Sequence, residues 1–114
     1  MYKITLTAKR INEDTPFIYQ SPEGERYITA SQSVREAKKD LWTSYDERLS
    51  ENGLDYIIDF TFVNEQAYQK YLAALIIEYP DFMQHRAEYF SEKNHELYMF
   101  VTNEDGTHRT GKLC

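Results

Sequence analysis

Alternation is cleanest at the start of the chain. Tyr2, Ile4, Leu6 and Ala8 fall on one side and Lys3, Thr5, Thr7 and Lys9 on the other. That period of two predicts a β-strand with one dry and one wet face. Asn12 to Pro16 is a polar break. After it, Phe17 to Tyr19 and Arg26 to Thr29 flank Ser21-Pro22-Glu23-Gly24-Glu25, which predicts a hairpin or a long β-loop.

From Ser33 the period lengthens. Val34, Ala37, Leu41, Trp42, Tyr45 and Leu49 line up as one helical stripe, and Ser33 with Glu36 forms a capping box. A helix over Ser33–Ser50 is predicted, stopped by Gly53. Its opposite face gathers Glu36, Asp40, Glu47 and Glu51 within about 60°.

Leu54–Val63 returns to a period of two. Leu54, Tyr56, Ile58, Phe60 and Phe62 form one face, and Asp55, Ile57, Asp59, Thr61 and Val63 the other. The second face turns apolar toward its end, which predicts an interior strand with Asp55 and Asp59 near an open rim. Asn64 is placed to cap a helix over Glu65–Glu78 with a stripe of Tyr68, Tyr71, Leu72, Leu75 and Tyr79, and Pro80 ends it. A second helix from Asp81 to about Lys93 carries Phe82, Met83, Ala87 and Phe90 and is expected to cover Ile77, which lies off the first stripe. His95–Thr102 predicts a strand, Asn103–Gly106 a turn, and Thr107–Leu113 a returning edge strand.

These elements define one α+β domain over residues 1–114. The expected form is a mostly antiparallel sheet of about five or six strands with two or three helices packed on one face. The stretch from Leu54–Val63 through the helices to His95–Thr102 fits a right-handed crossover. A length of 114 residues allows one modest core, and 41% hydrophobic with 28% charged residues is the balance of a globular domain, not a disordered one.

Charge changes the picture more. Between Asp40 and Glu65 stand seven acids and a single base, Arg48, so this quarter carries the entire formal charge of −6. An acidic concentration of this kind attracts basic partners and repels nucleic acid. Lys9-Arg10 and Lys38-Lys39 are the only basic pairs, so direct nucleic-acid binding is not expected, although Tyr56, Phe60, Tyr98 and Phe100 have the ring chemistry of a stacking platform. Ten tyrosines suit half-buried sheet edges and protein interfaces.

Catalytic and metal signatures are absent from the pattern. Gly106-Thr107-His108-Arg109-Thr110-Gly111-Lys112 spells most of a phosphate loop but is followed by Leu113, where a hydroxyl is needed to hold magnesium. Asp55 and Asp59 stand about 13 Å apart along a strand, too far to share a metal. His85, His95 and His108 have no zinc-like spacing. Cys114 is the sole cysteine, so no internal disulfide is expected. No cofactor and no metal are therefore expected. The first residues show no apolar leader and the longest apolar run, Leu72–Ile77, is far too short for a membrane span. A cytoplasmic protein of a bacterium, or of a virus acting in its host's cytoplasm, is the expectation.

The function expected is that of a small, acidic, non-enzymatic protein-binding protein. An inhibitor or immunity-type protein, blocking a toxin or nuclease or a viral host target, would present Glu36, Asp40, Glu47, Glu51, Asp55 and Asp59 to a basic protein surface. The alternative is a small α+β enzyme or ligand-binding domain whose pocket between sheet and helices uses Tyr56, Asp59, His95 and Tyr98. The third reading is a structural subunit that self-associates, as a homodimer, through the apolar excess of Leu72–Ile77.

Overall fold

The computed structural model describes residues 1–18, 27–28 and 32–114, apart from the side chains of 32 and 33. Its elements are β1 (Tyr2–Arg10), α1 (Gln32–Ala37), β2 (Trp42–Leu49), β3 (Asp55–Phe62), α2 (Glu65–Glu78), α3 (Phe82–Glu92), β4 (His95–Thr102) and β5 (His108–Lys112). The five strands form one sheet in the order β2-β3-β1-β4-β5, and every neighbouring pair is antiparallel. This is the α+β architecture that the periodicities predict.

β1 sits in the middle because its alternation suits a strand paired on both sides. Ile4 lies opposite Phe60 on β3 and Val101 on β4, and Leu6 lies opposite Ile58 and Met99. Tyr2, Ile4, Leu6 and Ala8 are buried under the helices with Tyr56, Ile58, Phe60 and Phe62. β3 and β4 flank β1 and run in the same direction, joined by α2 and α3. Asn64 caps α2 as expected, its Oδ1 accepting from the Ala67 amide at 2.8 Å, and the Tyr79 amide closes the last turn on the Leu75 carbonyl at 2.8 Å before Pro80. The turn after β4 is closed by the Asn103 amide on the Thr107 carbonyl at 2.8 Å. Gly106 adopts φ 89° there, a left-handed conformation that suits glycine.

Three expectations are overturned. The helix over Ser33–Ser50 is only α1; from Trp42 the chain is the edge strand β2. The misleading signal has a physical origin. A bulge between Trp42 and Ser44 inserts one extra residue, so Trp42 and Tyr45, three apart, point to the same face and both pack on Phe60. Three-residue spacing thus mimicked a helical stripe. The capping box rests on Ser33, whose side chain lies outside the described residues.

Second, most of the hairpin expected over Phe17–Thr29 also lies outside the described residues, and in its second arm Tyr27 and Ile28 are helical, not extended. Third, α3 does not cover Ile77, which stays 82% exposed. α3 instead buries Phe82, Arg86 and Phe90, leaving Met83 and Ala87 outside.

Candidate functional site

The acidic quarter folds into the β2–β3 hairpin and its surroundings. Among the described residues β2 pairs only with β3, and six of its eight residues are exposed. Asp46 and Arg48 point to the sheet face away from the helices, in register with Asp59 and Ile57, whereas Glu47 points to the helix side opposite Ile58. Glu36 is on α1, Asp40 in the turn before β2, and Glu51 in the turn after it; all three are exposed, and Asp55 is half-buried. The single acidic ridge expected on a helix is therefore not formed. The acids spread over both faces and both ends of an exposed strand.

Two of these acids are anchored. Glu47 accepts hydrogen bonds from the Tyr45 hydroxyl at 3.1 Å and from the Tyr56 hydroxyl, which fixes its carboxylate at the sheet edge. Asp59 accepts from Thr5 Oγ1 at 2.6 Å and from Arg48 Nη1 at 2.7 Å, with Lys3 Nζ 3.8 Å away. Burial alone would raise its pKa, but the bonds from Thr5 and Arg48 and the nearby charges outweigh it and hold the carboxyl below its ordinary value. Arg48 also reaches Asp46 at 3.0 Å. Asp59 thus ties β1, β2 and β3 together and is a structural hub, leaving Glu36, Asp40, Asp46 and Glu51 as the exposed acids.

The four residues of the expected pocket do not meet. Tyr56 and His95 point to the helix side of the sheet, while Asp59 and Tyr98 point to the uncovered side, opposite Thr5 and Thr7 of β1. A whole sheet separates the two pairs, because residues of unlike parity cannot share a face. His95 is buried against Phe90. Its Nδ1 lies 2.8 Å from the Lys93 carbonyl, which can only accept, so Nδ1 carries the proton and Nε2 is left without a partner. Burial, with the charge of Arg10, holds this imidazole below its ordinary pKa despite the bond to Lys93.

Among the described residues a cavity of about 30 Å³ lies between sheet and helices, lined chiefly by Ile, Leu, Phe and Tyr side chains with Arg86. Larger depressions are open. One of about 390 Å³ lies between Thr15–Ile18 and the end of α3, and one of about 210 Å³ runs over Tyr98 and Phe100 on the uncovered face. Neither is lined by a histidine, an aspartate or a cysteine, and no three metal-ligating side chains converge among the described residues.

The pattern of the chain did not reveal Arg86. It sits four residues from both Phe82 and Phe90 on the buried side of α3, where an apolar residue is the ordinary choice. That spacing was its only signal. Nor did it reveal the Thr5–Asp59–Arg48 bonding, which joins residues 54 and 11 positions apart.

No family model and no curated protein matches the chain. A solved structure does: a dimeric ferredoxin-like protein from an uncultured marine organism, 10% identical, with a TM-score of 0.58 over 97% of this chain and 92% of the other. At that identity the likeness is one of fold. The order β2-β3-β1-β4, with β1 between two strands of like direction, is the split βαβ arrangement of ferredoxin-like domains. The fold of this chain is therefore α+β with a ferredoxin-like strand arrangement and β5 added at one edge. No described helix is long and apolar enough to cross a membrane.

Proposed function

We propose that this domain is a non-enzymatic protein-binding module that docks the acidic β2–β3 edge on a basic surface of another protein. The observation that carries the reading is the state of β2. Among the described residues it is an edge strand, exposed at six of eight positions, carrying the outward acid Asp46 and flanked by Asp40 and Glu51. Charge gathered at one edge speeds encounter with a basic partner and selects among partners. Trp42 and Tyr45, half-buried on the helix side of the same strand, supply aromatic area next to the charge. An inhibitor or immunity-type role suits a small domain whose described cavity between the layers holds only about 30 Å³. The docking set expected from the sequence narrows accordingly, since Asp59 is already engaged by Arg48, Thr5 and Lys3.

The test is paired capture from the source cells, with the native domain and an Asp40→Lys/Glu51→Lys variant as baits, read by quantitative mass spectrometry. A basic protein enriched on the native bait and lost from the variant supports the reading. Identical protein sets on both baits, or an acidic partner, would overturn it.

A second reading, self-association, is favoured by the uncovered sheet face and by the dimeric description of the structural neighbour. Light scattering over a hundredfold concentration range separates it, since a stable homodimer would keep twice the monomer mass throughout.

A further inference from the structure

The small cavity beneath α2 and α3 is lined by a buried cation, Arg86, whose guanidinium lies over the Phe82 ring at 4.5 Å but faces no carboxylate among the described residues. Its polar lining consists of Tyr68, Tyr71 and Arg86. Arg86 is only 7% exposed. Its Nε and Nη2 donate to the carbonyls of Tyr27 and Ile28 at 2.8 and 3.1 Å, while Nη1 reaches nothing better than the Met83 sulfur at 3.9 Å. No carboxylate pairs with it among the described residues. The ionisable groups that sense its charge are the Tyr68 hydroxyl and the Cys114 thiol, and burial raises the pKa of both, so both are neutral at pH 7. Burial lowers Arg86 itself to about 10, which still leaves it cationic there.

The other donors are equally underused. The Tyr68 hydroxyl donates only to the Met99 sulfur at 3.8 Å, and the buried Tyr71 hydroxyl has no partner. Thioether sulfur is a weak acceptor. A buried cation whose Nη1 meets only a thioether is best served by an acceptor that carries negative charge. A water molecule could donate to the Tyr68 hydroxyl oxygen, since a phenol accepts as well as donates, but it would leave the guanidinium without a counter-charge. A cavity of about 30 Å³ holds one or two water-sized occupants, which suits a monatomic anion and is too small for a substrate. Leu113, 40% exposed, lies in the lining and marks the way in.

We propose that this cavity is a binding site for a monatomic anion of chloride size, held by Arg86 Nη1 and the Tyr68 hydroxyl. The ion would neutralise the buried guanidinium and link α3 to α2. Because it would bind the folded chain alone, it would raise the melting temperature in a saturable way.

The experiment is thermal melting at fixed ionic strength while sodium gluconate, whose anion is too large to enter, is exchanged for sodium chloride or bromide. The native chain should gain stability with both halides and saturate. Tyr68→Phe, which gives up only a bond to sulfur, should still fold and should need about tenfold more halide for half-saturation, as expected for losing a charge-assisted bond. Arg86→Gln should lose the response; if it fails to fold, Tyr68→Phe and a crystal grown in bromide decide the matter. Anomalous density within hydrogen-bonding reach of Arg86 Nη1 and Tyr68 Oη is the expected result. Melting that is indifferent to halide, an undiminished response in Tyr68→Phe, or a cavity without bromide would overturn the assignment.

Discussion

β1 and β2 run in the same direction on either side of β3, yet they work under opposite constraints. β1 is hydrogen-bonded along both edges, and its even-numbered residues are sealed beneath the helices while Lys3, Thr5, Thr7 and Lys9 form the wet face. β2 is paired along one edge, carries a bulge, and leaves most of its side chains in water. A central strand is held in register by burial on one face, since a slip of one residue would turn its whole apolar set outward. An edge strand is under no such demand and must instead discourage stray pairing, for which charged side chains and a bulge are effective devices. Asp46, Glu47 and Arg48 serve that purpose whatever else they do. The acidity of β2 is therefore a consequence of its place in the sheet first, and the docking role proposed for it comes second.

The contrast predicts unequal costs of truncation. Phe62→Ala, in the buried strand between β1 and β2, should lose about 3–5 kcal/mol, since Phe62 is fully buried and touches the rings of Phe60, Tyr68 and Tyr71. Trp42→Ala on β2 should lose roughly 1–2 kcal/mol, because its ring is half-buried, covering Phe60 and donating Nε1 to the Arg35 carbonyl at 3.2 Å. Denaturant unfolding of both variants measures the ratio. Equal losses would mean that β2 is as much a part of the core as β3.

The same contrast explains what the sequence made legible. Strands β1, β3 and β4 follow from an alternation that burial enforces, while β5, the Asn64 cap and the stop at Pro80 follow from local turn and capping rules. β2 escaped because its bulge shifts the phase by one residue, so Trp42, Tyr45 and Leu49 repeat as helix residues do. The site was less legible than the fold. The acidic charge of the quarter is a property of composition and was plain. Its division between two faces depends on strand geometry, and the separation of Tyr56 and His95 from Asp59 and Tyr98 depends on parity within a sheet whose pairings join distant parts of the chain.

Acid sharpens the comparison between centre and edge. His95, buried where β4 meets α3, has a folded-state pKa below its ordinary value, so the unfolded chain binds its proton more readily. Its contribution is present in full above about pH 6.5 and is lost as the pH falls toward the depressed folded value. Asp59 behaves alike one step lower, losing its contribution as the pH falls below about 4. Denaturation midpoints between pH 7 and pH 3 should show both losses. His95→Asn should flatten the upper one and Asp59→Asn the lower.

At the edge the effects on stability should be smallest. Asp40→Lys and Glu51→Lys, at exposed positions in the turns flanking β2, should each shift stability by less than about 0.5 kcal/mol. Melting temperatures check this, and a larger loss would show that the turns depend on these carboxylates.

The docking account stands or falls on association kinetics with the purified partner recovered by capture, measured at two ionic strengths. The native domain should associate faster at low salt, the Asp40→Lys/Glu51→Lys variant should be slower with a flatter salt dependence, and Glu88→Lys on exposed α3 should behave nearly as the native domain does. Equal rates for all three at both ionic strengths would contradict the account and leave β2 as an edge whose charges guard the sheet and nothing more.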